Sequence, residues 1–303
     1  MAVHPPRIPR FAAVSALAAV LLFAAPRGAS ADVYYGATGS NGINGRLYIL
    51  NPANGAIATN VGALVDAANN VYGLTGLAFQ PGSGTLYGST SNASLTGAGH
   101  LVRVNVATGQ ITDVGSYGTG TTMADITFDP TTGQLYGLNA AGDQGLYRIN
   151  TATGAATFVG GASADFGGSG LAASLTGTLF ATPDGVTAAN PTLQTINKAT
   201  GVRTVVGTLS GATFPVHNAL DFNSTGVLYG VESNRGGPTS TRLVTINTAT
   251  AVVTVLGTSV PDLDALAIFR TAAPGVPEPS QLALAAVVGV GLLARRFARR
   301  RKT

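Results

Sequence analysis

A phrase that returns through the chain, and that begins and ends out of phase, constrains the fold more than any other feature. In full it reads Leu77-Ala78-Phe79, Thr85-Leu86-Tyr87-Gly88, Leu101-Val102-Arg103-Val104-Asn105, Ala107-Thr108-Gly109 and Ile111-Thr112-Asp113-Val114-Gly115. It recurs from Ile126 to Gly160, more weakly from Leu171 to Gly207, and again from Leu220 to Gly257. The landmarks Asn51, Asn105, Asn150, Asn197 and Asn247 set a period of about 50 residues. Each period holds four short β-rich phrases between turn residues, the pattern of a propeller blade.

The two ends of the array are complementary. The first copy starts late, at Val33-Tyr34-Tyr35-Gly36, with no innermost strand before it. After the last copy, Leu263 to Phe269 reads as an innermost strand without a blade. Joining them closes a ring, and closure removes the sheet edges that would otherwise template aggregation. The expected fold is all-β: a five-bladed β-propeller over residues 32–272, closed by its carboxyl-terminal strand.

The Asn-x-Ala-Thr-Gly phrases at Asn105, Asn150 and Asn197 read as turns, in which Asn bonds its own backbone and Gly takes a left-handed conformation. Ala251 stands at the Gly position of the last copy, which predicts a less regular turn there. Tyr87, Tyr136, Phe180 and Tyr229 recur at one position and read as packing between blades.

Outside the repeat, charge is distributed unevenly. The formal net charge is +4, but the body from Asp32 to Val276 carries eight cations against twelve acidic residues. No basic face remains for nucleic acid once the ends are set aside. Cysteine is absent, which excludes disulfides, thiolate metal sites and cysteine nucleophiles.

The other nine cations sit at the two ends. His4, Arg7 and Arg10 precede an apolar run from Phe11 to Ala25, and Ala29 and Ala31 supply small residues at the −3 and −1 positions of a cleavage site before Asp32. Residues 1–31 therefore read as a secretory signal peptide. At the other end, residues 273–303 hold Val276-Pro277-Glu278-Pro279-Ser280, the apolar run Leu282 to Ala294, and the basic block Arg295, Arg296, Arg299, Arg300, Arg301 and Lys302. The run reads as a transmembrane helix whose basic end stays in the cytoplasm, leaving the propeller outside. At 1.5 Å per residue it covers about 20 Å, short of the roughly 30 Å hydrocarbon core, and snorkelling Arg side chains narrow the gap. The motif, run and basic cluster, in this order, resemble the PEP-CTERM sorting signal of Gram-negative bacteria. The resemblance implies recognition by an exosortase-type membrane protease, with cleavage at the motif, and an association with extracellular polysaccharide and biofilm matrix. It carries no activity.

Chemistry is sparse in between. His100 and His217 are the only histidines of the body, and neither accompanies a G-x-S-x-G elbow, so no hydrolase triad is expected. Aligning the innermost phrases puts Thr75, Ala124, Ser169, Asn218 and Asp264 at one position, and Gly76, Asp125, Gly170, Ala219 and Ala265 at the next. Asp125, Asn218 and Asp264 are thereby placed near one channel mouth, where hard oxygen donors suit Ca²⁺. The bland alternative is capping of strand starts. Glu232, the one glutamate of the body, reads as part of a loop after a second-strand phrase. The expected function is a non-catalytic binding or structural module at the cell surface or in the matrix, for exopolysaccharide or surface protein, without a cofactor. The alternative is a Ca²⁺-assisted hydrolase or lyase with its site at the channel mouth.

Overall fold

The computed structural model describes Met1 and residues 31–271, apart from residues 40, 42–43, 121, 140–144, 162–169, 184–190 and 235–239. Residues 2–30 of the expected signal peptide, Ala29 among them, and the sorting motif, transmembrane run and basic end lie outside the described residues. Ser30–Ala273 forms one compact unit.

Among its described residues are twenty strands in five four-stranded antiparallel sheets. The first three are β1 (Val33–Thr38), β2 (Arg46–Leu50) and β3 (Ile57–Ala63). The second blade is β4 (Leu74–Phe79), β5 (Leu86–Thr90), β6 (His100–Val104) and β7 (Ile111–Ser116). The third is β8 (Met123–Phe128), β9 (Leu135–Asn139), β10 (Leu146–Ile149) and β11 (Ala156–Gly160). The fourth is β12 (Gly170–Ala173), β13 (Leu179–Thr182), β14 (Thr192–Ile196) and β15 (Arg203–Thr208). The fifth is β16 (Val216–Phe222), β17 (Leu228–Ser233), β18 (Thr241–Ile246) and β19 (Val253–Thr258). The last strand, β20 (Leu263–Phe269), pairs with β1 in the register Val33↔Phe269 to Ala37↔Ala265, so the sheet order of the first blade is β20-β1-β2-β3. The split blade is completed as the sequence offset predicts.

Alternation of side chains across each strand gives every blade two apolar faces, and the core divides accordingly into five clusters, one at each blade interface. The repeated aromatics belong to these seams. Tyr87 tilts on Phe128 of the next blade with ring centroids 5.6 Å apart, Phe180 on Phe222 at 5.6 Å, and Tyr229 meets Tyr34 edge-on at 4.9 Å. Such pairs contribute about 0.5–1.5 kcal/mol each beyond the area they bury.

The Asn-x-Ala-Thr-Gly turns serve the same ring from outside. The Asn105 side chain accepts the Ala107 N–H at 2.9 Å, and the turn closes with Gly109 N–H donating to the Asn105 carbonyl at 2.8 Å. Gly109 sits at φ 79°, a left-handed value open to Gly at little cost. These turns press on the outermost strand of the preceding blade: a Cβ added at Gly62 would strike the Thr108 carbonyl, and one at Gly115 the Thr153 carbonyl. Ala251 departs from the expectation of a less regular turn. Its N–H donates to the Asn247 carbonyl at the same 2.8 Å, and Ala251 itself adopts φ 58°. The turn is preserved, and the departure from Gly appears as backbone strain.

Candidate functional site

The innermost strands β4, β8, β12, β16 and β20 point their free edges at the central channel, and unpaired N–H groups on a buried edge need acceptors. Two carboxylates supply them. Asp125 is fully buried, and its Oδ2 accepts the Leu171 N–H of β12 at 2.9 Å and the Leu220 N–H of β16 at 3.2 Å, while Oδ1 accepts its own neighbour Ile126 N–H at 2.9 Å. Asp221 Oδ2 accepts the Ile268 N–H of β20 at 2.7 Å, and its Oδ1 accepts the Phe222 N–H and lies 2.7 Å from Arg270 Nη2. Thr127 Oγ1 accepts the Ala173 N–H at 3.1 Å in the same manner. Burial pushes the Asp125 carboxyl well above the usual carboxylate range, against the pull of its three N–H donors. Burial also raises Asp221, with Arg270 pulling the other way. The acidic groups of the channel thus stitch the inner edges of neighbouring blades together.

The residues aligned from sequence share a structural device. In the first, second, third and fifth blades the register between innermost and second strand slips at that position, so that Asp264, Thr75, Ala124 and Asn218 are each passed over by the pairing. Such bulges re-aim a side chain out of the regular alternation. Thr75 Oγ1 donates to the Met123 carbonyl of the next blade at 2.7 Å, and Asn218 Nδ2 donates to Asp264 Oδ1 at 2.8 Å. The structure therefore brings Asn218 and Asp264 together across a blade seam. Asp125 bonds backbone N–H groups instead, and Ser169 lies outside the described residues. Among the described residues no group of three or more His, Cys, Asp or Glu is arranged to hold a metal ion.

The remaining titratable groups are distributed around the ring. His100 Nδ1 lies 3.0 Å from Asp113 Oδ1 on the surface. Lys198 Nζ reaches Asp129 Oδ2 at 2.6 Å and ties the fourth blade to the third; burial works to raise Asp129, but the bonds from Lys198 and Thr131 outweigh it and hold the carboxyl at about 2. His217 and Glu232 are both buried within strands, β16 and β17, so Glu232 is not in a loop as its sequence context suggests. Burial depresses His217 to about 4 and raises Glu232. At the opposite end of the channel, where the innermost strands finish, a cavity of about 510 Å³ is lined by Phe79, Pro81, Phe128, Pro130, Phe269 and Arg270, among others. Its aromatic wall continues inward, with Phe79 edge-on to Phe269 at 5.1 Å and to Tyr35 at 5.4 Å. Phe79, Phe128 and Phe269 close innermost strands and recur in the repeat, but the cavity is completed by turn residues such as Pro81 and Pro130, so spacing alone did not reveal it.

Comparison with known proteins follows this division. Residues 75–217 match the family described as a repeat of unknown function (DUF6923), and residues 275–302 match the PEP-CTERM protein-sorting motif. No curated protein matches the chain. Among solved structures, the nidogen/laminin complex aligns at 13% identity over 79% of this chain and 98% of that chain, with a TM-score of 0.52. A gluconolactonase from Xanthomonas campestris aligns at 13% identity over 78% of this chain and 79% of its own, with a TM-score of 0.47. TolB from Acinetobacter baumannii aligns at 12% identity over 76% and 53%, with a TM-score of 0.46. At 13% identity the likeness to the nidogen/laminin complex concerns the fold alone. The sorting motif implies export, anchoring at the cell surface and processing by an exosortase membrane protein. The chain thus carries a PEP-CTERM protein-sorting motif on the carboxyl-terminal side of a five-bladed β-propeller.

Proposed function

We propose that the protein is a surface-displayed or matrix-released propeller that acts as a non-catalytic binding or structural module for exopolysaccharide or a surface protein. In this reading the leader is a general secretory signal removed after Ala31, and the run Leu282 to Ala294 holds the chain in the membrane until an exosortase acts at Pro277-Glu278-Pro279. The observation that carries the binding role is the use to which the channel puts its acids: Asp125 and Asp221 are committed to backbone N–H groups, while an aromatic-lined cavity stands at the channel end beside Arg270. Aromatic walls with few polar groups suit recognition without chemistry. The test is binding of the propeller segment 30–273 to the host's own extracellular polysaccharide and surface extract, with Phe79→Ala and Phe269→Ala as variants. Saturable binding weakened by both variants is expected; binding that both leave intact sinks the cavity as the seat. Mass spectrometry of mature surface protein tests sorting, since peptides beyond Ser280 should be missing.

A second reading, a Ca²⁺-assisted hydrolase or lyase, draws on the Asn218–Asp264 contact at the channel mouth. It requires stoichiometric Ca²⁺ in the purified protein and an activity lost in Asp264→Ala.

A further inference from the structure

Glu232, the only glutamate of the propeller, faces His217, one of its two histidines, directly across β16 and β17. Opposed side chains of an antiparallel pair share one face of the sheet, with Cβ atoms about 4.5–5.5 Å apart. Both residues are buried, at 1% exposure for His217 and 0% for Glu232. Glu232 Oε2 accepts the Thr213 N–H at 3.1 Å, which pins the loop 209–215 over the pair. Glu232 Oε1 and both ring nitrogens of His217 have no partner. Arg242, opposite Glu232 on β18, acts on it through space, but its guanidinium rests 4.8 Å from the centre of the Phe214 ring.

Three unpartnered polar atoms on two buried side chains are unusual, because each buried donor or acceptor left unsatisfied costs about 1–3 kcal/mol. A direct His–Glu hydrogen bond would remove most of that cost, and the two side chains do not make one. A single ion set between them would satisfy a nitrogen and an oxygen at once, through bonds of about 2.0–2.2 Å on either side. We propose that His217 and Glu232 are the protein donors of a binding site for a divalent transition-metal cation of the zinc class, seated on the face that the two side chains share across β16 and β17. An imidazole nitrogen paired with a carboxylate oxygen suits that class and suits Ca²⁺ poorly, which takes oxygen throughout. No third His, Cys, Asp or Glu joins the pair among the described residues. The protein therefore supplies two side-chain donors, and water carried in with the ion fills the other positions. The site is distinct from the channel mouth, since the neighbouring Asn218 is turned by its bulge toward Asp264.

The test uses the untagged full-length chain, stripped with chelator, loaded with Zn²⁺, dialysed and analysed for metal, with calorimetric titration by Zn²⁺ and by Ca²⁺. One equivalent of Zn²⁺ is expected, with affinity at least tenfold above that for Ca²⁺. It should fall at least tenfold in His217→Gln and in Glu232→Gln, and be retained in His100→Gln. Circular dichroism checks that each variant keeps its sheet; if one does not fold, the other carries the comparison. The proposal is overturned if the parent retains no stoichiometric Zn²⁺, if folded variants bind as the parent does, or if binding is lost only in His100→Gln.

Discussion

Replacing Asp125 by Ala should cost the propeller more than any other single polar substitution in the channel. The change deletes the acceptor for three buried N–H groups, two of them on blades other than its own. At about 1–3 kcal/mol per unsatisfied buried donor the gross loss is roughly 3–9 kcal/mol, and relief from burying a carboxylate offsets part of it. A net loss of about 3 kcal/mol is expected, which for a unit of this size lowers Tm by about 6–12 °C. Asp125→Asn keeps one acceptor oxygen for Leu171 and Leu220 and turns its amide toward Ile126, so it should fall between Ala and parent. The pH dependence follows from the sign of the shift. The folded Asp125 carboxyl lies above its unfolded value, so the folded state binds the extra proton and stability from this group grows as pH falls. The parent should therefore gain on Asp125→Asn between pH 7 and pH 5. The assay is thermal unfolding of segment 30–273, followed by circular dichroism and calorimetry. An Ala variant that melts within about 2 °C of the parent would refute the stitching role.

Other perturbations probe other parts of the ring. Asp129→Asn should lose stability at pH 6 but little at pH 2: the Asp129 carboxyl is depressed to about 2 when folded, so its contribution is present above the unfolded value and disappears as pH falls through the folded one. The expected difference at pH 6, read from urea unfolding, is about 1 kcal/mol. Ala251→Gly should raise stability by about 0.5–1 kcal/mol, because relief of a left-handed φ outweighs the added freedom of the unfolded chain; a lower Tm would contradict the strain. Gly115→Ala should cost more than about 2 kcal/mol, since Gly115 has φ 146° and an added Cβ meets the Thr153 carbonyl, which is backbone and cannot swing aside. Tolerance of that change in a melting experiment would argue against close contact between those blades.

The architecture was legible because a repeat multiplies weak signals. One short apolar phrase such as Thr85 to Gly88 says little, but its return at Gln134 to Gly137 and Val227 to Gly230 fixes a blade, and the out-of-phase ends fix the closure. The aligned position Thr75, Ala124, Asn218 and Asp264 was visible for the same reason, although its meaning as a bulge was not, since register belongs to the pair of strands and not to either sequence. Asp125 looked like a channel-mouth ligand because an acid among Gly and Ala stands out. Its acceptor role depends on Leu171 and Leu220, which are remote in sequence, so spacing cannot reveal it. Asp221 and Arg270 escaped notice because each replaces unlike residues in the other copies. The flanking sorting motif was legible from about thirty residues, since its chemistry is carried by consecutive positions.

Closure of the first blade by β20 also imposes a timetable. A chain exported amino end first presents β1, β2 and β3 early, but their inner neighbour is the last strand of the propeller to emerge. Asp32 waits as well, for its Oδ1 takes the Thr271 N–H at 3.1 Å. Four blades can assemble during translocation while the first stays unfinished, with an open edge. Only when residue 271 has cleared does the ring lock, and the segment still to follow is the one that carries the sorting motif. Anchoring at the membrane by that segment would hold the newly exported protein in place while its ring closes.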